Sequence, residues 1–289
     1  MKIFLSLFIS LLFLSLIFYF LPLNELLISL KSIKTETLIL SFLLYSLSQF
    51  TRSVRWSLLL SLPLKESFFL NSANLFLNNV LPARSGELSW FYYAKKLGIN
   101  FKYSLWSFTI GRLYDLLALI FVVFISYLLA KEGTFFALLG LFVGFFLALL
   151  IPFLVNLIPE IWKLTDLKNF LRRELSVKLS LYLFTLSGIS FFLKALSTYI
   201  LVESLVRLNL FEYTLGFLGG ELSSILPLHS FMGYGTYEAG FLLPLKLLGL
   251  EVKEGLKIGF IVHNFLLLSS AFWGVLSILY LHTFSRKSP

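Results

Sequence analysis

Cysteine is absent from this 289-residue chain, and charged residues are few. The absence of cysteine excludes disulfides, thiolate catalysis and cysteine metal sites. Only 13% of the residues are charged, against about 25% in a typical soluble domain, whereas 58% are apolar. No polar stretch is long enough to fold as a separate soluble domain, and several apolar runs reach the length of a membrane-spanning helix. The composition therefore predicts an all-α polytopic membrane protein with one transmembrane domain over residues 1–289.

Hydropathy predicts six full transmembrane helices. We expect them at residues 3–23, 37–60, 103–129, 135–158, 179–202 and 256–281, with the first serving as an N-terminal anchor. Between the fourth and fifth spans, residues 159–178 place apolar and basic side chains on opposite faces of a helix. This pattern is typical of an amphipathic helix that lies at the membrane surface.

Two further apolar segments are interrupted. Residues 68–97 are broken at Pro82 and Gly86, and residues 211–248 at Pro227, Gly233 and Gly235. Proline ends a helix, glycine permits unusual backbone angles, and each remaining piece is too short to cross a bilayer. Broken backbone at membrane depth is tolerated where it is buried in protein or lines a wet cavity. We therefore predict two re-entrant helical hairpins, with these five residues as structural hinges.

The two interrupted segments share their spacing. Glu87 and Glu238 each precede a glycine by 11 residues, and 14 residues after that glycine stand Arg112 in one case and His263 in the other. We interpret this as an internal repeat, with repeat 1 at residues 37–129, repeat 2 at residues 179–281, and residues 135–178 connecting them.

The positive charges predict the orientation. With the N-terminus inside and six spans, 15 lysines and arginines fall on the inner side and seven on the outer side. Both termini are then cytoplasmic, the first hairpin enters from the cytoplasm, and the second enters from outside. The two repeats therefore run in opposite directions, a plan that is common in transporters.

Charged side chains inside the membrane are candidates for function, because burying one costs about 2.5–3.5 kcal/mol. The repeat lets each half present one acid and one base to a shared cavity; alternatively, these residues form ion pairs that only hold the hairpins against the spans. The predicted lipid-binding residues are Arg52, Arg55, Asn79, Arg84, Glu87, Arg112, Asp115, Glu238 and His263.

Three of these residues have specific alternatives. Arg52 and Arg55 either extend to the cytoplasmic membrane edge or hold a lipid phosphate. Asp115 has no acidic counterpart in repeat 2, and we expect it to neutralise Arg84 or Arg112.

Metals, cofactors and nucleic acids are not expected. The three histidines are scattered and have no cysteine beside them, which argues against a metal site. Glu238 stands where a nucleotide-binding glycine loop needs its last glycine, and no βαβ unit surrounds it. The net charge of +9 is better explained by topology and by anionic lipid headgroups than by nucleic acid.

Several motifs resemble the lysylphosphatidylglycerol synthase transmembrane region family over residues 40–280. They are NNVLPARSGE at residues 78–87, R-x-x-D at 112–115, Pro227…Gly233-x-Gly235-x-x-Glu238, and RSVRW at 52–56. The family includes the flippase domain of the bacterial multiple peptide resistance factor and flippase-like domains linked to archaeal dolichol-phosphate glycosyltransferases. The soluble aminoacyl-transferase domain of the full synthase has no counterpart here, so we do not expect lysylphosphatidylglycerol synthesis.

The resemblance implies a lipid or lipid-linked-glycan flippase or scramblase of the inner membrane. Its substrate would be an anionic or aminoacylated phospholipid, or a polyprenyl-phosphate lipid. An intramembrane transferase or hydrolase acting on a lipid phosphate is the alternative, with Glu87 or Asp115 as general base, although no catalytic arrangement stands out. A third possibility is an accessory subunit of a glycosyltransferase, and the chain could also form a homo-oligomer.

Overall fold

A computed structural model describes residues 15, 19, 22–81, 85–159, 162–223 and 230–283. These ranges form helices and contain no strand. The helices are α1 (Leu23–Ser32), α2 (Thr35–Leu60), α3 (Leu64–Val80), α4 (Glu87–Lys96), α5 (Phe101–Lys131), α6 (Thr134–Leu154), α7 (Trp162–Glu174), α8 (Val177–Val202), α9 (Leu210–Ser223), α10 (Thr236–Leu247) and α11 (Val252–Thr283). The predicted all-α membrane class is confirmed. Pro82, Arg84 and Pro227, which were predicted as hinge or site residues, lie outside the described residues.

Four of the described segments are long and apolar enough to cross a membrane. They are Phe101–Lys131, Thr134–Leu157, Val177–Leu205 and Val252–Thr283. The span predicted at residues 37–60 corresponds to α2, which has 26 residues but carries Gln49, Arg52 and Arg55 along a buried face. The span predicted at residues 3–23 falls almost entirely outside the described residues. The total of six spans therefore stays a prediction.

Each predicted hairpin consists of two short helices that pack against each other. Helices α3 and α4 meet where the Asn74 side-chain amide donates to the Gly86 carbonyl, at 3.1 Å. Helices α9 and α10 approach so closely that a Cβ on Gly219 would lie 2.2 Å from the Gly240 carbonyl oxygen. The four helices have 10 to 17 residues, below the roughly 20 that span a bilayer. Their re-entry into the membrane stays a prediction.

The second helices of the two hairpins end in the same way. Gly98 follows α4 and Gly249 follows α10, with φ values of 84° and 91°. In both places the glycine N–H donates three residues back and the next N–H donates five residues back, all at 3.0 Å. This is the left-handed helix ending that glycine adopts without steric cost. The two glycines are the ones that matched in the sequence spacing.

Helices α2 and α8 form an antiparallel pair at the centre of the bundle. Ser48 Oγ donates to the Ser190 carbonyl at 2.8 Å, and Ser190 Oγ donates back to the Ser48 carbonyl at 3.1 Å. On one side of this crossing, Ser197 Oγ donates to the Ser41 carbonyl. On the other side, Arg55 donates to Ser187 Oγ. Residue numbers rise along one helix as they fall along the other, so the helices run in opposite directions.

The hairpin helices pack against the long helix of the other half. Helix α3 contacts α11, and α9 contacts α5. Two hydrophobic clusters result, and they are separated along the central helices by polar residues. On α2, Tyr45 belongs to one cluster and Trp56 to the other, with both arginines between them. On α5, the clusters meet at Asp115, between Tyr114 and Ala118. A polar layer therefore crosses the middle of the bundle.

Candidate functional site

A cavity of about 520 Å³ opens within this polar layer. Helices α2 to α5 and α8 to α11 all contribute to its wall. The charged and polar residues in the lining are Arg52, Asn78, Asn79, Glu87, Thr109, Arg112, Asp115, Lys194, Glu221, Tyr237 and His263. Leucines, phenylalanines and Met232 complete the wall. Six of the nine predicted lipid-binding residues surround one space in the described part of the chain, namely Arg52, Asn79, Glu87, Arg112, Asp115 and His263.

Asp115 is the centre of a buried network of arginines. Both of its oxygens accept from Arg55, one of them at 3.2 Å, and Arg52 donates to it at 3.4 Å. Arg112 lies one helical turn away, 3.9 Å from the same carboxylate. Arg55 also donates to the Gly111 carbonyl and to Ser187. The single carboxylate of Asp115 therefore compensates the positive charge of several arginines. Removing Asp115 would leave these buried charges without a counter-charge.

One of the two alternatives for the α2 arginines, extension to the membrane edge, needs correction. Neither extends to the membrane edge, because Arg52 is 8% exposed and Arg55 is fully buried. The helix turns both side chains towards Asp115 on α5, where charge pairing outweighs access to water. Asp115 was expected to neutralise Arg112, but its contact to Arg112 is the longest of its three contacts to arginine. The main partners of Asp115 are Arg55 and Arg52. Arg55 contributes to this network and is not part of the cavity lining among the described residues.

Glu87 and Arg112 form a long and partly exposed ion pair in the wall of the cavity. Glu87 Oε1 lies 3.7 Å from the Arg112 guanidinium, and the two side chains are 30% and 33% exposed. Glu87 is placed by the start of α4, where Gly86 lets the helix approach the end of α3. A Cβ at Gly86 would lie 2.3 Å from the Leu77 carbonyl oxygen. These two charges are therefore accessible from the cavity and only weakly bound to each other.

Glu238 and His263 form the equivalent pair in the second half, and this pair is short and buried. His263 Nδ1 lies 2.7 Å from Glu238 Oε1, and the Glu238 side chain is fully buried. The Gly235 N–H donates to the other Glu238 oxygen at 2.6 Å. Gly233 and Gly235 both have positive φ, which turns the chain into α10 and points that N–H at the carboxylate. The hinge predicted at these glycines therefore serves to position Glu238.

Sequence reasoning missed Lys194 and Glu221. Lys194 on α8 donates to both oxygens of Glu221 on α9, at 2.7 and 2.8 Å, and both residues line the cavity. Lys194 follows Ser190 by four residues, just as Arg52 follows Ser48, and the serines form the reciprocal hydrogen bonds of the central crossing. A charged residue four positions after a serine in both spans was the available signal.

Asn79 lies at the contact between the two halves. Its side-chain amide on α3 donates to Ser270 Oγ on α11 at 3.0 Å, and its side chain also lines the cavity. Nearby, Trp56 Nε1 donates to Asn71 and Asn71 donates to Gln49, so the polar face of α3 is tied to α2. These amides fix the position of the first hairpin next to the charged cavity.

Comparison with known families agrees with this architecture. A sequence model described as the lysylphosphatidylglycerol synthase TM region matches residues 3–274, nearly the whole chain. The chain belongs to the lysylphosphatidylglycerol synthase TM region family. Membership in that family agrees with a multi-pass membrane protein of lipid-related function. No similar curated protein and no similar solved structure was found. Of the described residues that carried the resemblance, Arg52, Asn78, Asn79, Glu87, Arg112 and Asp115 line the charged cavity.

Proposed function

We propose that this protein is a flippase or scramblase of the cell membrane, which carries the headgroup of a phospholipid or polyprenyl-phosphate lipid through its central cavity. The observation that carries the proposal is the cavity itself. It is polar and charged, it lies at mid-height among long apolar helices, and both halves of the chain contribute to its wall. Charged groups at such a depth are costly in a membrane protein unless they serve a site.

Arg112 is the residue we assign to the lipid phosphate. Its side chain lines the cavity and is 33% exposed, and its guanidinium lies 3.7 Å from Glu87 and 3.9 Å from Asp115. The planar guanidinium suits bidentate binding of a phosphate. Arg52 lines the same wall and adds positive charge, while Arg55 holds Asp115 in place.

The arrangement of the helices supports an inverted repeat. Helices α2 and α8 cross antiparallel at Ser48 and Ser190, and each hairpin packs on the long helix of the other half. Broken helices that meet at such an interface are a recurring plan in transporters that open alternately to each side. We infer that the two hairpins open the cavity in turn, with the lipid tails remaining in the bilayer.

Transport of a fluorescent phospholipid in vesicles tests this function. Arg112→Gln should reduce the rate of headgroup movement by about tenfold or more, because a charge-assisted bond to phosphate contributes about 1.5–3 kcal/mol. Arg173→Gln is the matched control, since Arg173 is exposed on α7 and outside the cavity lining of the described residues.

Three outcomes are distinguishable. Loss of transport in the Arg112 variant alone supports the proposal. Equal transport in wild-type, variant and empty vesicles contradicts it. Appearance of a covalently changed lipid would instead indicate the transferase or hydrolase alternative.

A further inference from the structure

A groove lies on the surface of the bundle, separate from the charged cavity. It has a volume of about 680 Å³ and runs between residues 43–50 of α2, residues 64–69 of α3 and Trp273 of α11. We call it the side groove. Among the described residues, it shares no lining residue with the central cavity. Leu43 and Leu47 in its wall are 58% and 48% exposed, so the groove is open to the surrounding membrane.

The polar groups in the wall of the side groove are paired within the protein. The Trp273 indole N–H donates to Ser46 Oγ at 2.9 Å, and the Ser46 hydroxyl donates to the Phe42 carbonyl at 2.8 Å. The Phe68 ring meets Trp273 edge-on, with ring centroids 5.1 Å apart. Both donors are therefore used, and the indole is held by a hydrogen bond and by a neighbouring ring. An occupant of this part of the groove meets mainly apolar surface.

Lys65 brings a charge to this apolar groove, and it is the one charged residue among the described residues of the lining. Its ammonium lies 4.7 Å from the centroid of the Tyr280 ring, which stacks on the Phe69 ring at 4.0 Å. A ring face attracts a cation and positions it, but it does not neutralise the charge. Lys65 has no hydrogen bond and no ion pair within the described part of the chain, so its three N–H donors remain for a ligand.

The apolar wall and the single cation together select an amphiphilic anion. A hydrocarbon chain fits the apolar stretch along α2, and an anionic group compensates Lys65. By the predicted orientation, Lys65 lies on the inner side of the membrane, where anionic headgroups attract basic residues. A second copy of this chain fits less well, because a symmetric contact between two side grooves would bring two Lys65 cations together. Charge complementarity therefore favours a lipid.

We propose that the side groove binds an anionic phospholipid of the inner leaflet, with one acyl chain along residues 43–50 and the phosphate at Lys65. The site is separate from the central cavity and does not depend on the proposed transport. A lipid held there contacts α2, α3 and α11 at once. It therefore helps to hold the first hairpin against the long helix of the second half.

The fluorescence of Trp273 reports on the occupant of the groove, because bromine atoms on an acyl chain quench a tryptophan that they touch. The full-length protein is placed in phosphatidylcholine vesicles with a rising fraction of either brominated phosphatidic acid or phosphatidylcholine with the same brominated chains. The wild type should reach half of its quenching at about a fivefold lower fraction of the anionic lipid, the effect of one lysine on an anionic headgroup. Trp273→Phe keeps an apolar wall and should abolish this difference, because the reporting residue is gone.

Lys65→Gln removes the charge at an exposed position and should bring the ratio between the two lipids close to one. Lys178→Gln is the matched control. Like Lys65, Lys178 is the second residue of its helix, is exposed and lies over a tyrosine ring, here Tyr182 at 5.8 Å. It is not part of the side groove, so this variant should keep the wild-type ratio. Because the ratio compares two lipids on one variant, a change in the folded fraction does not alter it.

A preference for the anionic lipid that requires Lys65 and Trp273 but not Lys178 supports the site, whatever the transport assay shows. Equal quenching of the wild type by the two lipids overturns the proposal, as does an unchanged ratio in Lys65→Gln. Equal loss of the preference in Lys178→Gln also overturns it and would indicate attraction of anionic lipids to the basic surface as a whole. Quenching by neither lipid would mean that another protein chain covers Trp273, and the lipid site would then be wrong.

Discussion

The two halves of the cavity hold their charges differently. In the first half, Asp115 receives contacts from three arginines, and Glu87 and Arg112 remain about one-third exposed at 3.7 Å from each other. In the second half, Lys194 pairs with Glu221 and His263 with Glu238, each at 2.7 Å and largely buried. The two halves have similar arrangements of helices. The first half holds a partly exposed network of charges, which we call open, and the second half holds two short, buried ion pairs, which we call closed.

The difference begins at one position. The residue that corresponds to Asp115 in the repeat is Leu266, so no carboxylate on α11 faces the cation on α8. Lys194 takes its partner from the neighbouring short helix instead, which ties α8 to the second hairpin. If the proposed lipid transport is correct, the partly exposed Glu87 and Arg112 of the first half meet the headgroup, and the buried ion pairs of the second half form a fixed wall.

The largest expected effect concerns the orientation of the two halves across the membrane. The opposite result would invalidate the comparison between them. Single cysteines at Lys95 and Lys253 are easily interpreted in a chain without cysteine, and both positions are exposed. If the halves are inverted repeats, a membrane-impermeant thiol reagent labels Cys at 253 from outside and Cys at 95 only after permeabilisation. Labelling of both positions from the same side would end the description of the halves as inverted.

The second-largest effect concerns stability, and it distinguishes the arginine network around Asp115 from the Lys194–Glu221 pair. Asp115→Leu leaves two buried arginines uncompensated and should lower the free energy of unfolding by about 3–5 kcal/mol. Replacing Arg55 with Met in addition should restore little, because Arg52 is still buried. In the second half, Lys194→Met combined with Glu221→Leu should be more stable than either single variant, since both charges are removed.

Denaturant titration in mixed micelles measures both cases. Asp166→Asn provides the control, because its exposed pair with Lys102 should contribute at most about 1 kcal/mol. Full rescue of Asp115→Leu by the Arg55 substitution would mean that the network is in fact a simple pair.

The smallest effect compares the two equivalent glutamates. Glu238→Ala leaves the Gly235 N–H and His263 Nδ1 without their buried partner, and should cost about 2–3 kcal/mol of stability. Glu87→Ala should cost less than about 1 kcal/mol, because the Glu87 side chain is 30% exposed, and exposed ion pairs contribute little to stability. We nevertheless expect Glu87→Ala to impair lipid transport. Unfolding and vesicle transport are measured on both variants, and equal stability losses would contradict the division into open and closed halves.

Much of the site could be predicted because it depends on residue spacings within short segments of the sequence. The matched spacings of Glu87 and Glu238 from their glycines survive in the structure as two helices with the same left-handed ending. The pairing of Arg112 with Glu87, and of His263 with Glu238, follows the equivalence that the spacing indicated. What the spacing did not reveal is how tightly each pair is held, because this depends on burial by other helices.

The sequence alone determined the membrane class, the approximate positions of the helices, the breaks in the hairpins and the family. These features depend on hydropathy and on proline and glycine, whose effects act within a few residues. Only the tertiary structure decided that Arg55 binds Asp115, 60 residues away, that Lys194 binds Glu221, and that the ring of Tyr237 stacks on His263. Such contacts depend on the rotation and register of packed helices. These are set by the fit of many distant side chains, such as Gly220 against the ring of Tyr237.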